Sequence, residues 1–314
     1  MWKIEDMEKE IRDNLGWHYT CMDSFLKILN GIEGDNFIFQ ASSLFSMNDT
    51  SEFMYGSKKV MEILPQIENE LDVEGDFKLS CLYGDCNDYP GSYLLENQIN
   101  LMNTSFQHPF VVSYFKAKDS LPQWGMYGDN GYGISLGFDV RYYYIKKKDN
   151  EGGLIYDFTR IDFDIPHSVD VLYTDTITPK DIVYYYIKYF YNLYLNRIKE
   201  KKEILPKEKI QIEELGKILF FSASFIKHHS YEYERESRII SMWKNYSDIH
   251  FKARDKGTLV PYIEIGIPVS SLREIMVGPC CKYSSIKPCI ELLLHQKGFG
   301  KEVVITQSKV PFRS

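Results

Sequence analysis

The chain has 314 residues, a length that fits one large domain or two smaller ones. Its apolar and charged fractions, 44% and 26%, are typical of a globular protein. The formal net charge of −7 provides no general phosphate-binding surface, although it leaves room for a local basic groove. No apolar run approaches the ~20 residues of a membrane span, so we expect no contact with a membrane.

The amino-terminal residues and the cysteines predict a cytoplasmic protein. The amino terminus, MWKIEDMEKEIRDNLGW, is acidic and amphipathic and lacks the apolar region of a signal peptide. The six cysteines form no C-x-x-C motif, and Cys280, Cys281 and Cys289 near His295 match no zinc pattern. We therefore expect reduced thiols, cytoplasmic localisation and no bound metal.

In the first third of the chain, hydrophobic spacing predicts short helices between strands. The predicted elements, in order, are an amphipathic helix over 1–15, a strand over 15–19 that carries His18, a helix from Met22 to Leu29, a strand over 37–41, a helix capped by Asn48 and Asp49 that runs to about 71, and a strand over 77–83.

Residues 109–139 contain the most closely spaced strand, turn and glycine signals of the chain. An apolar strand from Phe110 to Phe115 ends in a polar turn, and a short helix follows that places Trp124 and Tyr127 on one face. Glycines end this helix before a second apolar strand begins at Ile134. This order is typical of a pocket wall, although both aromatic side chains could equally be core residues. It is not a dinucleotide fingerprint, because that motif needs G-x-G-x-x-G between a strand and a helix.

The second half contains a helical pair followed by strands. Helices are predicted from Pro179 and from Pro206, and they make a hairpin insertion over residues 179–228. A tyrosine stripe on the first helix, over 184–194, is more typical of a core face than of a partner-binding surface. Strands are predicted over 231–243, 259–267, 274–278 and 302–306, with a helix over 284–297. The whole order predicts an α+β fold.

The candidate chemistry lies in the segment SYEYERESRII, residues 230–240. On a strand, Glu232, Glu234, Glu236 and Arg238 would share one face, where carboxylates repel each other unless a cation or a functional site holds them. On a helix, Glu234 and Arg238 would form only a surface pair. The neighbouring tyrosines and isoleucines favour the strand.

One carboxylate, a strand histidine and several aromatic rings suit cleavage of the nicotinamide–ribose bond of NAD. Its transition state resembles an oxocarbenium ion, which a carboxylate stabilises. A histidine can bind ribose hydroxyls and an aromatic ring can stack on nicotinamide. This chemistry requires no metal.

Six motifs together resemble the bacterial family known as domain of unknown function 2971. They are WHYT at 17–20, NDTSEF at 48–53, SYFKAKDSLPQWGMYGDNGYGISLGFD at 113–139, YERESR at 233–238, EIMVGP at 274–279 and TQSKVPFR at 306–313. The motif order is similar to that of ADP-ribosyltransferases of the diphtheria-toxin-like and DarT-like type. This resemblance implies a single domain over 1–314 with a mixed, mostly antiparallel split sheet.

The resemblance also implies the site residues. Glu236 would stabilise the ribosyl cation, Glu234 would orient the acceptor, and His18 would hold the ribose. NAD would be the substrate, and the residues implied to bind it are His18, Tyr19, Thr20, Ser113, Trp124, Tyr127 and Arg238. These roles require His18, Tyr127 and Glu236 to converge on one cleft.

Three functions remain open at this point. The first is an NAD-consuming transferase or glycohydrolase that modifies a protein or nucleic acid as a toxin or antiphage defence enzyme. The second is a cation-dependent nuclease of a defence system, for which the acidic residues show no convincing pairing. The third is a non-catalytic sensor whose tyrosine-rich helix at 184–194 binds a protein partner.

Overall fold

A computed structural model describes residues 15–46, 50–83, 108–140, 146–148, 154–156, 167–199, 207–243, 246–254, 257–300 and 302–312. The predicted amino-terminal helix and the predicted caps Asn48 and Asp49 lie outside these ranges. In the described residues, no helix is both long and apolar enough to cross a membrane.

Strands and helices are interspersed along the chain. The strands are β1 (Leu15–Thr20), β2 (Ile32–Glu33), β3 (Asn36–Ser43), β4 (His108–Phe115), β5 (Ile134–Asp139), β6 (Lys146–Lys148), β7 (Leu154–Tyr156), β8 (His167–Asp170), β9 (Leu172–Tyr173), β10 (Ile226–Lys227), β11 (Glu236–Trp243), β12 (His250–Arg254), β13 (Thr258–Pro268), β14 (Leu272–Val277) and β15 (Val304–Gln307). The helices are α1 (Met22–Asn30), α2 (Thr50–Glu70), α3 (Leu121–Met126), α4 (Ile182–Lys199), α5 (Lys207–Ala223) and α6 (Tyr283–Gln296).

An 11-stranded sheet forms the centre of the molecule and branches at β4. One edge of β4 pairs with β11, which in turn pairs with β8. The other edge pairs with β3 near the start of β4 and with β1 near its end. One wing therefore runs β3-β13-β12 and the other runs β1-β5-β14-β15. Only β14 and β15 pair in parallel in this sheet, so the predicted α+β fold with a mixed, mostly antiparallel sheet is confirmed.

Alternation along the strands gives the sheet two differently covered faces. On the first face, called face A, Val111 and Ile240 join a core with α2, α4 and α5. A smaller aromatic cluster of face A contains Trp17, Tyr19 and Phe115 together with Trp124 of α3. On the opposite face, called face B, the sheet packs against α1 and α6 through a core that includes Phe25, Phe39, Val112, Leu136, Ile239 and Ile290.

The tyrosine stripe of α4 lies inside the face A core. Tyr184, Tyr191 and Tyr194 are buried there with Ile187 and Phe190. The stripe is therefore a packing surface, as its helical spacing favoured, and it is not free to bind a partner as the third hypothesis requires.

The predicted strand over 77–83 is wrong. The chain forms two 3-10 turns there, Gly75–Phe77 and Ser80–Tyr83. Side chains, rather than a neighbouring strand, accept backbone hydrogen bonds from this segment. The backbone N–H of Leu79 donates to the Tyr191 hydroxyl at 3.0 Å, and that of Ser80 donates to Glu68 at 2.9 Å. Alternating apolar residues predicted a strand because the sequence did not reveal these distant acceptors.

Candidate functional site

The segment before β11 is not a strand, and this changes where its carboxylates point. Residues His229–Glu234 form a 3-10 helix, and Arg235 follows it in the left-handed region with φ 48°. β11 begins only at Glu236. The predicted single face of Glu232, Glu234, Glu236 and Arg238 is therefore wrong: Glu232 is exposed, whereas the turn places Glu234 beside Glu236 in the interior.

Lys227 lies between three carboxylates. Its Nζ is 2.6 Å from Glu236 Oε2, 2.7 Å from Glu234 Oε2 and 3.3 Å from Glu52 Oε2. Glu52 comes from the first turn of α2, and Lys227 is the last residue of β10. The ammonium therefore joins residues 227–236 to α2, which is distant from them in the sequence.

Arg238 closes the other side of the same group. Its Nε and Nη2 donate to the two oxygens of Glu236 at 2.8 and 3.0 Å, which is a bidentate pair. The guanidinium also bonds Glu52 and the carbonyl of Ser224. We call Glu52, Lys227, Glu234, Glu236 and Arg238 the buried charge cluster. Arg238 is fully buried, and Glu234 and Glu236 are each 3% exposed.

The cluster shifts the pKa values of its two central carboxyls in opposite directions. Burial raises the pKa of Glu234, and its neighbours Glu236 and Glu52 add to this, against the opposing charge of Lys227. Burial also acts to raise the pKa of Glu236, but the charges of Arg238 and Lys227 outweigh it and hold the pKa at about 2. Two carboxyls in one buried site thus differ in how readily they accept a proton.

Two tyrosines adjoin the cluster. Tyr127, half-buried, packs its ring 5.1 Å from that of Phe115. Burial, followed by the charges of Glu234 and Glu236, raises the pKa of Tyr127 to about 12. Tyr173 accepts a hydrogen bond from the backbone N–H of Glu236 at 2.7 Å through its hydroxyl. Of the predicted stacking residues, Tyr127 is thus the one on which the charges of Glu234 and Glu236 act.

Ser113 lies on the neighbouring strand and is paired in register with Arg238. Directly paired residues of antiparallel strands point to the same face. Ser113 is therefore on face A with the cluster, and it is half-buried. Four residues of the implied middle and closing motifs, Ser113, Tyr127, Glu236 and Arg238, meet on one face.

His18 does not join them. Trp17 and Tyr19 point into the aromatic cluster of face A, so the side chain of His18 points to face B. There its ring lies edge-on to Phe39 at 5.2 Å, and its Nδ1 donates to the carbonyl of Ser113 at 3.0 Å. Burial lowers the pKa of His18 and favours the neutral ring. The expectation that His18, Tyr127 and Glu236 share one cleft is wrong.

Tyr19, Thr20 and Trp124 are also packing residues. Trp124 is fully buried, donates from Nε1 to Asp119 at 2.8 Å, and lies edge-on to Tyr19 at 4.9 Å. The Tyr19 hydroxyl donates to the carbonyl of Ala117, and Thr20 is buried. None of these three side chains offers an exposed surface for stacking.

The sequence analysis missed three residues of the cluster and its border: Glu52, Lys227 and Tyr173. Glu52 lies in the motif NDTSEF three residues after Asp49, a capping-box spacing that indicates no more than a helix start. Lys227 was placed at the end of a helix, but α5 ends at Ala223 and Lys227 belongs to β10. Buried lysine is rare unless paired. Had the helix been predicted to end at Ala223, the buried position of Lys227 would have indicated an acidic partner.

A family model described as a protein of unknown function (DUF2971) matches residues 123–239. This match supports the resemblance to the family over that part of the chain. The matched DUF2971 region holds Tyr127, Lys227, Glu234, Glu236 and Arg238, whereas His18, Glu52 and Ser113 lie outside it. No curated protein and no solved structure matches the chain.

Proposed function

We propose that the chain cleaves the nicotinamide–ribose bond of NAD at the buried charge cluster and passes ADP-ribose to water or to a macromolecular acceptor. The observation that carries this proposal is a pair of buried carboxyls in which both Glu234 and Glu236 contact Lys227, at 2.7 and 2.6 Å, while Glu236 is also held by Arg238 at 2.8 Å; the pKa values of the two carboxyls are shifted in opposite directions. Pairs of carboxyls whose environments separate their pKa values are typical of sites that need one charged group and one proton acceptor.

The two carboxyls divide the reaction between them. When the glycosidic bond breaks, nicotinamide leaves with the bonding electrons and positive charge develops at C1′ of the ribose. Glu236, which stays ionised, stabilises that charge. The acceptor hydroxyl then attacks C1′ and gives its proton to Glu234, whose raised pKa suits a general base.

The arrangement of strands supports an ADP-ribosyltransferase-like architecture. The strands to which the ADP-ribosyltransferase resemblance assigns its first, middle and closing motifs are β1, β4 and β11, and they lie side by side in that order. The sheet branches next to them, where β3 and β1 both meet β4. A split sheet with the closing glutamates beside the middle motif is what the resemblance implies.

Gln123 provides a second polar group for a carboxamide ligand. It is fully buried, and neither its amide nitrogen nor its amide oxygen has a hydrogen-bond partner among the described residues. Buried amides are normally satisfied, so an unpaired one needs an explanation. Gln123 precedes Tyr127 by four residues, the spacing that places two side chains on one side of a helical turn. The carboxamide of nicotinamide could satisfy both atoms of Gln123 while its ring stacks on Tyr127.

The proposal differs from the sequence-based mapping in one respect. His18 lies on face B and takes no part in ribose binding; Tyr127, Gln123 and Ser113 line the substrate side instead. Partial exposure of Tyr127 and Glu52 marks the side from which the dinucleotide reaches Glu236.

The test is release of nicotinamide from NAD by the wild type and by Glu236→Gln, Glu234→Gln and Glu232→Gln. Glu232 is an exposed member of the same motif and is the matched control. We expect both buried substitutions to abolish release, with Glu232→Gln unchanged. Because Glu236→Gln also disturbs the fold, Gln123→Leu provides a variant without charge loss and is expected to raise KM more than it lowers kcat. The proposal would be refuted if the folded wild type neither bound NAD nor released nicotinamide from it.

A second candidate is a non-catalytic protein in which the cluster only joins segments. The observation in its favour is the pairing of Glu236 with both Arg238 and Lys227, which leaves the carboxylate only 3% exposed. This candidate predicts that the buried variants lose stability and that the wild type never binds NAD. Calorimetric titration of the folded wild type with NAD therefore separates the two candidates.

The buried charge cluster does not support the nuclease hypothesis. A divalent cation would have to lie among Glu52, Glu234 and Glu236, where the ammonium of Lys227 already lies. Nucleic-acid cleavage that depends on Mg²⁺ would reverse this conclusion.

A further inference from the structure

A second group of titratable side chains lies outside the buried charge cluster, where β9 and β10 end. These strands pair in parallel, with Lys227 opposite Tyr173. Since parallel strands end at the same edge, the residues that follow them leave the pair close together. Asp175 follows β9 by two residues, and His228 and His229 follow β10 directly.

The three side chains converge. His228 Nε2 is 3.5 Å from Asp175 Oδ1, and His229 Nδ1 is 2.7 Å from Asp175 Oδ2. Neighbouring residues on a strand would point apart, but the 3-10 helix that starts at His229 brings the two imidazole rings to 4.2 Å. One ligand atom from each residue lies within 4.8 Å of the other two.

Neighbouring groups hold the ligands in orientation. The Tyr55 hydroxyl donates to Asp175 Oδ1 at 2.8 Å, and its ring contacts that of His228. The Nδ1 of His228 accepts from the backbone N–H of Ser230 at 3.2 Å and lies 2.8 Å from the Ser230 hydroxyl, so these contacts hold the ring with Nε2 toward Asp175. Groups that bond the second ring nitrogen of a ligating histidine fix its orientation in metal sites.

We propose that Asp175, His228 and His229 bind a divalent transition-metal ion of the Zn²⁺ class. Two imidazoles and one carboxylate are borderline ligands that suit such ions, and they leave a fourth position open to solvent. The 3.5 Å between His228 Nε2 and Asp175 Oδ1 is close to the edge of a tetrahedron with metal–ligand bonds of roughly 2.0–2.1 Å. The side chains are between 43% and 58% exposed, so an ion reaches them directly.

Such an ion would link the ends of β9 and β10. Tyr173 and Lys227, the last residues of these strands, both contact Glu236. The ion would therefore fasten two segments that hold the buried charge cluster. This inference departs from the sequence-based expectation of no metal, and it does not depend on the chemistry proposed for the cluster.

The experiment is calorimetric titration of the metal-free full chain with Zn²⁺, comparing wild type with Asp175→Asn and His229→Gln. The control is His295→Gln, which removes an exposed histidine elsewhere. We expect one ion per chain, a melting temperature that rises with Zn²⁺, and affinity at least about tenfold weaker in both site variants, since even the loss of an outer-shell partner costs 10–100-fold. His295→Gln should bind as the wild type does.

Co²⁺ serves as a spectroscopic probe of the ligands, because Cys81 and Cys289 are exposed and could bind metal themselves. A site of nitrogen and oxygen ligands gives a visible spectrum without sulfur-to-cobalt charge transfer. The proposal is overturned if the wild type binds no ion, if both site variants bind as tightly as the wild type, or if the spectrum shows thiolate ligation. His229→Gln guards against loss of fold in Asp175→Asn, since Asp175 also accepts from Tyr55.

Discussion

At the scale of single residues, Arg238 is the most demanding group of the molecule. It is a fully buried guanidinium that bonds Glu236, Glu52 and a backbone carbonyl. An ion removed from water is tolerated only when its partners are complete, and removing one partner leaves the other charge unpaired. The consequences for stability can be tested without any assumption about catalysis.

We expect Glu236→Gln to lower the free energy of unfolding by about 3 kcal/mol, the lower end of the range for a broken buried ion pair, because Glu52 and Glu234 still contact the two cations. Glu232→Gln should change it by less than about 0.5 kcal/mol, as is usual for exposed positions. Urea unfolding followed by circular dichroism measures both. Equal stability of the two variants would contradict the geometry of the cluster.

The difference in unfolding free energy between the wild type and Glu236→Gln should change with pH in the opposite direction to the difference between the wild type and Glu234→Gln. The pKa of Glu236 lies below its ordinary value, so its ionisation stabilises the fold above that value, and the contribution is lost as pH falls toward about 2. The advantage of the wild type over Glu236→Gln should therefore shrink on acidification. The pKa of Glu234 is raised, so the wild type should lose stability relative to Glu234→Gln as pH rises above about 4.3. Unfolding free energies between about pH 3 and pH 7 would show two slopes of opposite sign; parallel profiles would contradict the assignment.

At the scale of elements, the contact between α2 and α5 positions the cluster. Gly56 of α2 faces Ala223, the last residue of α5, so closely that an added Cβ would lie 2.7 Å from the Ala223 carbonyl oxygen. The next residue, Ser224, supplies the carbonyl that bonds Arg238. A small residue on one helix thus lets the end of the other reach a buried charge.

We therefore expect Gly56→Ala to destabilise the protein by about 1–3 kcal/mol, as overpacking of a tight contact does. Gly75→Ala is the control, because no atom lies within 4 Å of its added Cβ and its φ is not positive. Thermal unfolding of the two variants gives the comparison. A Gly56→Ala variant as stable as the control would show that α5 can move away without cost.

At the scale of the whole molecule, the sheet separates the buried charge cluster from His18, which the motif order had predicted to share one cleft. The cluster lies on face A, and His18 lies among the apolar residues of face B. Within the described residues, the link between them runs through the backbone of Ser113, whose carbonyl accepts from His18 and which is paired with Arg238.

The effects of His18→Leu and Glu236→Gln on unfolding free energy should accordingly add, within about 0.5 kcal/mol. Glu52→Gln and Glu236→Gln share Arg238 and Lys227, so their combined effect should depart from the sum by more than that. Four unfolding measurements for each pair complete the two double-mutant cycles. Strong coupling between His18 and Glu236 would show that they act as one site after all.

Local patterns in the sequence predicted much of the architecture. Short apolar runs and alternation located β1, β3, β4 and β5, and helical spacing with proline start signals located α1, α4 and α5, because these signals depend on neighbours within a few residues. The same spacing correctly favoured a buried face for the tyrosines of α4. The motifs also indicated a resemblance to a family whose model matches residues 123–239.

The left-handed Arg235, the branch at β4 and the side chains that replace a strand partner at Leu79 depend on contacts between distant segments. Local periodicity carries no information about such contacts, so the glutamates of 232–236 were placed on one strand face and His18 was placed in their pocket. Sequence alone predicted the α+β fold class, the resemblance that the match over 123–239 supports, and Glu234, Glu236 and Arg238 as candidate site residues. Only the tertiary structure decided which side chains join them, because Glu52 and Lys227 reach the cluster from other segments to neutralise charge removed from water.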